Sequence, residues 1–159
     1  MSESSQPYVE RIEARTFSRA TEIPERVTTA LLTLFPEGVR EHVVIAEEET
    51  EGHHKNPIHI FSAILEHPHT DEASRFIFSQ LTEGDVKSIL GTFELRVDED
   101  CNFFLRIDKQ AAYLGHIEIA RVPDVISLQL FIRKLPRCKE QDARTLIEYY
   151  ASLAGASSK

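Results

Sequence analysis

The sequence has 159 residues, 42% hydrophobic and 28% charged, which fits one soluble globular domain whose core needs no metal or disulfide staple. No apolar run is long enough to span a bilayer, and the polar residues 1–6 lack the hydrophobic stretch of a secretory signal. A net charge of −8 argues against nucleic acid at first sight, but residues 101–139 hold seven Lys/Arg against three acids, a local +4 that leaves −12 elsewhere.

The first strand is expected over residues 8–17, with Ile12 and Ala14 on one side and Arg11, Glu13 and Arg15 on the other. Pro24 opens a helix, its fixed φ suiting the first turn. Val27, Ala30, Leu31 and Leu34 continue the helix until Pro36 stops it. Residues 42–48 and 57–66 read as two strands joined by a glycine-containing loop. Two helices follow: Ala73, Phe76, Ile77 and Leu81 line one, and Val86, Ile89, Leu90 and Phe93 the other. Thr82 with Asp85 three residues on resembles a capping box between them.

Asp98-Glu99-Asp100 is a turn signal before a strand at 102–107. Further strands are expected at 116–121 and, after Pro123-Asp124, at 125–135. A closing helix over about 139–153 buries Ala143, Leu146, Ile147 and Tyr150. Short turns between neighbours favour antiparallel pairing. The fold class is therefore α+β, a mostly antiparallel sheet with helices packed on one face. A single domain is expected over 7–154, with residues 1–6 and 155–159 disordered in composition. Cys101 and Cys138 make neither a disulfide framework nor a paired-ligand spacing, which reads as a reducing cytoplasm.

Alternation in the last strands carries the functional expectation. Leu105, Ile107, Leu128, Leu130 and Ile132 face inward, which leaves Phe104, Arg106, Ser127, Gln129, Phe131 and Arg133 outside, with Arg11 and Arg15 beside them. Aromatic rings interleaved with guanidinium groups suit base stacking and phosphate binding. The same rings would equally serve a covering loop, the last helix or a dimer partner.

A second constellation, residues 106–115, offers Arg106 and Lys109 to phosphates, Gln110 to a base edge or ribose, and Tyr113 to a stacked base. Structurally, Asp108 would cap a single helical turn that Gly115 ends. A third, residues 51–57, offers Lys55 and Asn56 as phosphate and base contacts. Its neighbours His53 and His54 point apart on an extended chain, so no metal is expected there. No phosphate loop, nucleophile elbow or metal-nuclease carboxylate array is present, which favours a protein without catalysis or cofactor.

The segments Glu51-Gly52-His53-His54-Lys55-Asn56-Pro57-Ile58 and Arg106-Ile107-Asp108-Lys109-Gln110-Ala111-Ala112-Tyr113-Leu114-Gly115 resemble two signatures of an archaeal RNA-binding family, also described as a predicted exosome subunit. The likeness runs from roughly residue 9 to 153, and Lys55 stands where that family usually has glycine. The resemblance implies a fold similar to large-ribosomal-subunit protein five and association with RNA or RNA-processing machinery. It brings no catalytic residue. The alternative is a protein-interaction subunit or homodimer that uses the open sheet face without touching RNA.

Overall fold

The computed structural model describes residues 6–19, 21–51 and 57–155. Strands β1 (Tyr8–Ser18), β2 (Val44–Glu51), β3 (Pro57–Glu66), β4 (Asn102–Asp108) and β5 (Val125–Arg133) form one antiparallel sheet in the order β2-β3-β1-β5-β4. Helices α1 (Pro24–Leu32), α2 (Thr70–Ser79), α3 (Glu83–Gly91), α4 (Phe93–Arg96), α5 (Lys109–Tyr113) and α6 (Glu140–Ala151) complete the described fold, with one 3-10 helix at Glu37–His42.

The period of two along each strand sorts the side chains. Ile12, Ala14, Ala63, Leu65, Phe103, Leu105, Ile107, Leu128, Leu130 and Ile132 are all buried, as the sequence alternation requires. The helices supply the other side of that core through Val27, Ala30 and Leu31 of α1, Ala73, Ile77 and Phe78 of α2, and Ala143, Ile147 and Tyr150 of α6. Thr82 Oγ1 accepts from Asp85 N–H at 3.0 Å and starts α3. Tyr150 is buried beside Phe78, and its hydroxyl donates to Asp71 at 2.8 Å. Among the described residues no helix is long and apolar enough to cross a membrane.

Three local expectations need correction. Residues 116–121 are not a strand: they meet β4 at the single bridge Ile107–Ile119, flanked by Asp108 N–H to Glu118 O and Ala120 N–H to Arg106 O. In an antiparallel register Ile117 would face Lys109, and there β4 has already given way to α5, so the pairing has no partner. Ile117 is nevertheless buried. Phe93, expected on one helix with Val86, Ile89 and Leu90, instead opens the short α4, because α3 ends at Gly91 and Thr92 leaves the helical conformation. The 3-10 helix after Pro36 is too short to repeat a period.

The third concerns the cysteines. Cys101 and Cys138 are joined by a disulfide across a sequence separation of 37 residues, with Cα atoms 6.4 Å apart. Pairing of β4 with β5 brings Cys101 beside Ile132, whose N–H donates to the Cys101 carbonyl at 3.1 Å, and the chain then turns toward α6 past Cys138. Sequence spacing could not show this proximity, because it depends on the strand register.

Candidate nucleic-acid interface

The face of the sheet turned away from the helices is laid out in rows by the registers of β1, β3, β4 and β5. Arg15 lies opposite Ser62 on one side and Ser127 on the other, and Ser127 lies opposite Arg106. The next row runs Ile64, Glu13, Gln129, Phe104, and the one after it Glu66, Arg11, Phe131, Asn102. At about 4.8 Å between strands, the backbones of Arg15 and Arg106 stand roughly 10 Å apart. Both side chains are exposed, and neither guanidinium has an ion-pair partner among the described residues. Two unpaired guanidiniums separated only by a serine leave room for an anion to sit between them.

Flat apolar surface lies beside this pair. Phe104 is 39% exposed and Phe17 60% exposed, and both border the hollow that Arg15 and Arg106 line. Arg19 also borders it, as do Glu13 and Asp124.

The other expected contacts on this face are committed to protein partners. The Arg11 and Arg133 guanidiniums lie 5.8 and 5.7 Å from the centroid of Phe131, which is half-buried. Arg133 Nη1 donates to the Asp100 carbonyl and to Asn102 Oδ1, and its Nε lies 3.3 Å from Glu10. Arg11 lies 3.2 Å from Glu13 and 3.5 Å from Glu66. Phe131 and Arg133 therefore form a local cluster across β1, β4 and β5, and they are less free for a ligand than Phe104 and Arg106.

The segment 106–115 divides in the same way. Asp108 Oδ1 accepts from Ala111 N–H at 2.9 Å and caps α5, and Gly115 ends the turn at φ +88°, a conformation suited to glycine. Lys109, expected to meet phosphate, is buried. Its ammonium donates to the Phe17 carbonyl at 2.6 Å and lies 3.0 Å from Glu22 and 3.5 Å from Asp124. With two carboxylates and a carbonyl around it and no exposed surface, it is not placed to meet an external phosphate. Lys109 shares the parity of the inward Phe103, Leu105 and Ile107, so the alternation of β4 continued by one residue already turns it toward the core. The phosphate role came from reading residues 106–115 as a segment of its own.

Tyr113 and Gln110 flank that buried charge. Tyr113 donates its hydroxyl to Glu22 Oε2 at 2.6 Å, and Gln110 Nε2 donates to Asp124 at 3.3 Å. Burial works against the Glu22 carboxylate, but hydrogen bonds from Tyr113, the Arg19 N–H and Lys109 outweigh it and hold its pKa below the usual glutamate value. Burial, reinforced by the bond to Glu22, raises the Tyr113 pKa. Lys55 and Asn56 lie outside the described residues.

Phe17 and Arg19 escaped the sequence reading. Phe17 has the same parity on β1 as Arg11, Glu13 and Arg15, so the alternation that exposed those three also exposes Phe17. Toward β2 and β3 the face mixes apolar and polar positions, with Ile60 opposite Phe17 and Glu48, Ser62 opposite Arg15, and Ile64 opposite Glu13 and the exposed Val44.

Comparison with known proteins places this geometry among relatives. The family described as RNA binding matches residues 11–132. An RNA-binding protein of Pyrococcus abyssi is 37% identical over 142 residues, covering 87% of this chain and 91% of its own. An uncharacterized protein of Methanocaldococcus jannaschii is 30% identical over 133 residues, covering 80% and 88%. A crystal structure from Archaeglobus fulgidus has a TM-score of 0.76 at 28% identity, covering 90% of this chain and 99% of its own. A structure from Methanothermobacter thermautotrophicus has a TM-score of 0.66 at 27% identity, covering 90% and 98%. These relatives are archaeal.

Proposed function

The chain belongs to the RNA-binding family, and on that premise we propose that it binds single-stranded RNA on the open sheet face without catalysing a reaction. The observation that carries this is the row Arg15–Ser127–Arg106, two exposed guanidiniums without ion-pair partners, bordered by the exposed rings of Phe17 and Phe104. Phosphate charge supplies affinity at the arginines, and the rings stack bases without demanding a sequence. The name of the Pyrococcus abyssi relative supports the same reading. Photo-crosslinking to RNA followed by peptide mapping tests it. Crosslinked nucleotides are expected on the peptides holding Phe17 and Phe104, and their confinement to the α3 and α6 surface would remove the proposal.

The reading extends to a cytoplasmic role in archaeal-type RNA processing, with the exosome as the partner complex and a fold related to large-ribosomal-subunit protein five. The family resemblance supports the RNA-processing, exosome and fold extensions, whereas the Cys101–Cys138 disulfide removes the cysteine argument for a reducing cytoplasm. A second reading, docking of a protein or a second copy, is favoured by the two apolar cross-strand pairs Val44–Ile64 and Phe17–Ile60 on this face. Co-purification with exosome subunits that resists both nuclease and high salt would favour it, because an apolar interface is insensitive to screening.

A further inference from the structure

A second hollow lies behind the buried Lys109, on the far side from the arginine row. It has a volume of about 550 Å³, within the range of roughly 300–1,000 Å³ typical of ligand clefts, and lies between the turn entering α1 and the end of α5. Ile23 and Leu114 form its lips, 53% and 76% exposed, and the half-buried Tyr113 gives it an aromatic wall. Arg26, exposed and without an ion-pair partner among the described residues, stands with Thr29 on the α1 side. Gln110 lines it too. Its amide nitrogen is held by Asp124, while its carbonyl oxygen accepts from no described residue.

The wall between the two hollows is built and charged. Phe17 and Asp124 border the open-face hollow, Glu22 and Tyr113 border this one, and the Lys109 ammonium bonds Phe17, Glu22 and Asp124 at once. Both Glu22 oxygens are already engaged, Oε1 by the Arg19 N–H and Lys109, Oε2 by Tyr113 and Lys109. Lys109 offsets one of the two carboxylates, Glu22 and Asp124, so the wall keeps a net negative charge, and a phosphate chain crossing it depends on Arg106 on one side and Arg26 on the other. Arg106 and Gln110 are four residues apart, so their Cα atoms are at most about 14 Å apart, a distance an RNA strand crosses within a few nucleotides.

Resting on the proposed RNA binding, we propose that this second hollow receives one nucleobase of the bound strand, read at its edge by Gln110. The apolar lips and the Tyr113 wall match the faces of a base, the free amide carbonyl matches a base-edge donor, and Arg26 matches the adjoining phosphate. The arginine row gives affinity without sequence, and the Gln110 hollow gives preference among bases.

The test uses the full chain and fluorescent single-stranded oligomers of adenosine, uridine and cytidine of equal length. The parent is expected to prefer one of them by roughly tenfold, the scale of one amide–base pair. Gln110→Ala is expected to remove most of that preference while keeping the affinity for the weakest oligomer and its salt slope. Leu114→Ala, at an exposed lip, is expected to reduce the preference with the fold intact by circular dichroism. Equal binding of all three oligomers by the parent, or an unchanged preference in both variants, overturns the base-reading hollow and leaves the RNA-binding face standing. Failure of the parent to bind any of the three overturns both.

Discussion

Lys109 Nζ lies 2.6 Å from the carbonyl oxygen of Phe17, a bond across 92 residues that ties the end of β1 to the start of α5. With no solvent exposure, the ammonium depends on this carbonyl and on Glu22 and Asp124 for its solvation. Lys109→Ala removes the partner of two carboxylates and leaves the carbonyl unpaired. A loss of roughly 3–5 kcal/mol is expected, the cost of breaking a buried charge pair from one side. Denaturant titration measures it. A variant as stable as the parent would mean that Lys109 is not part of the core network.

Glu22 makes that network pH-dependent. Its pKa is lowered in the folded chain, so in the carboxylate range the unfolded chain binds more protons and stability rises with pH. The contribution is complete above the ordinary value of 4.5 and is lost as pH falls through the folded value. Glu22→Gln should be less stable than the parent at pH 7, and the difference should shrink toward pH 3. Denaturation midpoints at the two pH values give the comparison; a constant gap would assign the defect to shape rather than charge.

The sheet core is tested at Leu130, which is fully buried between Ile12 of β1 and Phe103 of β4 in the register. Leu130→Ala should cost roughly 2–5 kcal/mol through the cavity it leaves. Equilibrium unfolding reads this directly, and a loss below about 1 kcal/mol would mean the face is mispaired or collapses freely.

What the sequence revealed and hid follows from the range of each signal. Alternation over 102–108 and 125–133 is local, so the inward set from Leu105 to Ile132 and the outward Phe104 and Arg106 could be read from the chain alone. Asp108 as a cap and Gly115 as a stop were also legible, because capping acts over three or four residues. The charge network that holds Lys109 was not, since its partners Phe17, Glu22 and Asp124 come from elsewhere in the sequence, although its inward parity with Leu105 and Ile107 was there to be read. The same holds for Arg133, whose apparent freedom on a strand disappears once the registers set it beside Glu10 and Asn102. The Cys101–Cys138 bond belongs with these, as a product of register rather than spacing.

The arginine row gives the sharpest functional prediction, because charge and stacking leave different marks on one titration. Arg15 and Arg106 flank Ser127 without ion-pair partners among the described residues, so each is free to displace a counterion from a phosphate. Arg15→Ala with Arg106→Ala should weaken RNA binding and lower the slope of log affinity against log salt by about 0.7 for each lost contact on a single strand. Phe104→Ala removes a stacking surface and no charge, so it should cost roughly 1–3 kcal/mol with the slope unchanged. Arg133→Ala provides the contrast: its guanidinium already serves Glu10, Asp100 and Asn102, so its loss should lower stability more than it changes the salt slope. All four side chains lie outside the core, and circular dichroism verifies that each variant is folded before titration at several salt concentrations. If the arginine pair and Phe104 can both be removed without changing RNA affinity, the open face belongs to a protein partner instead.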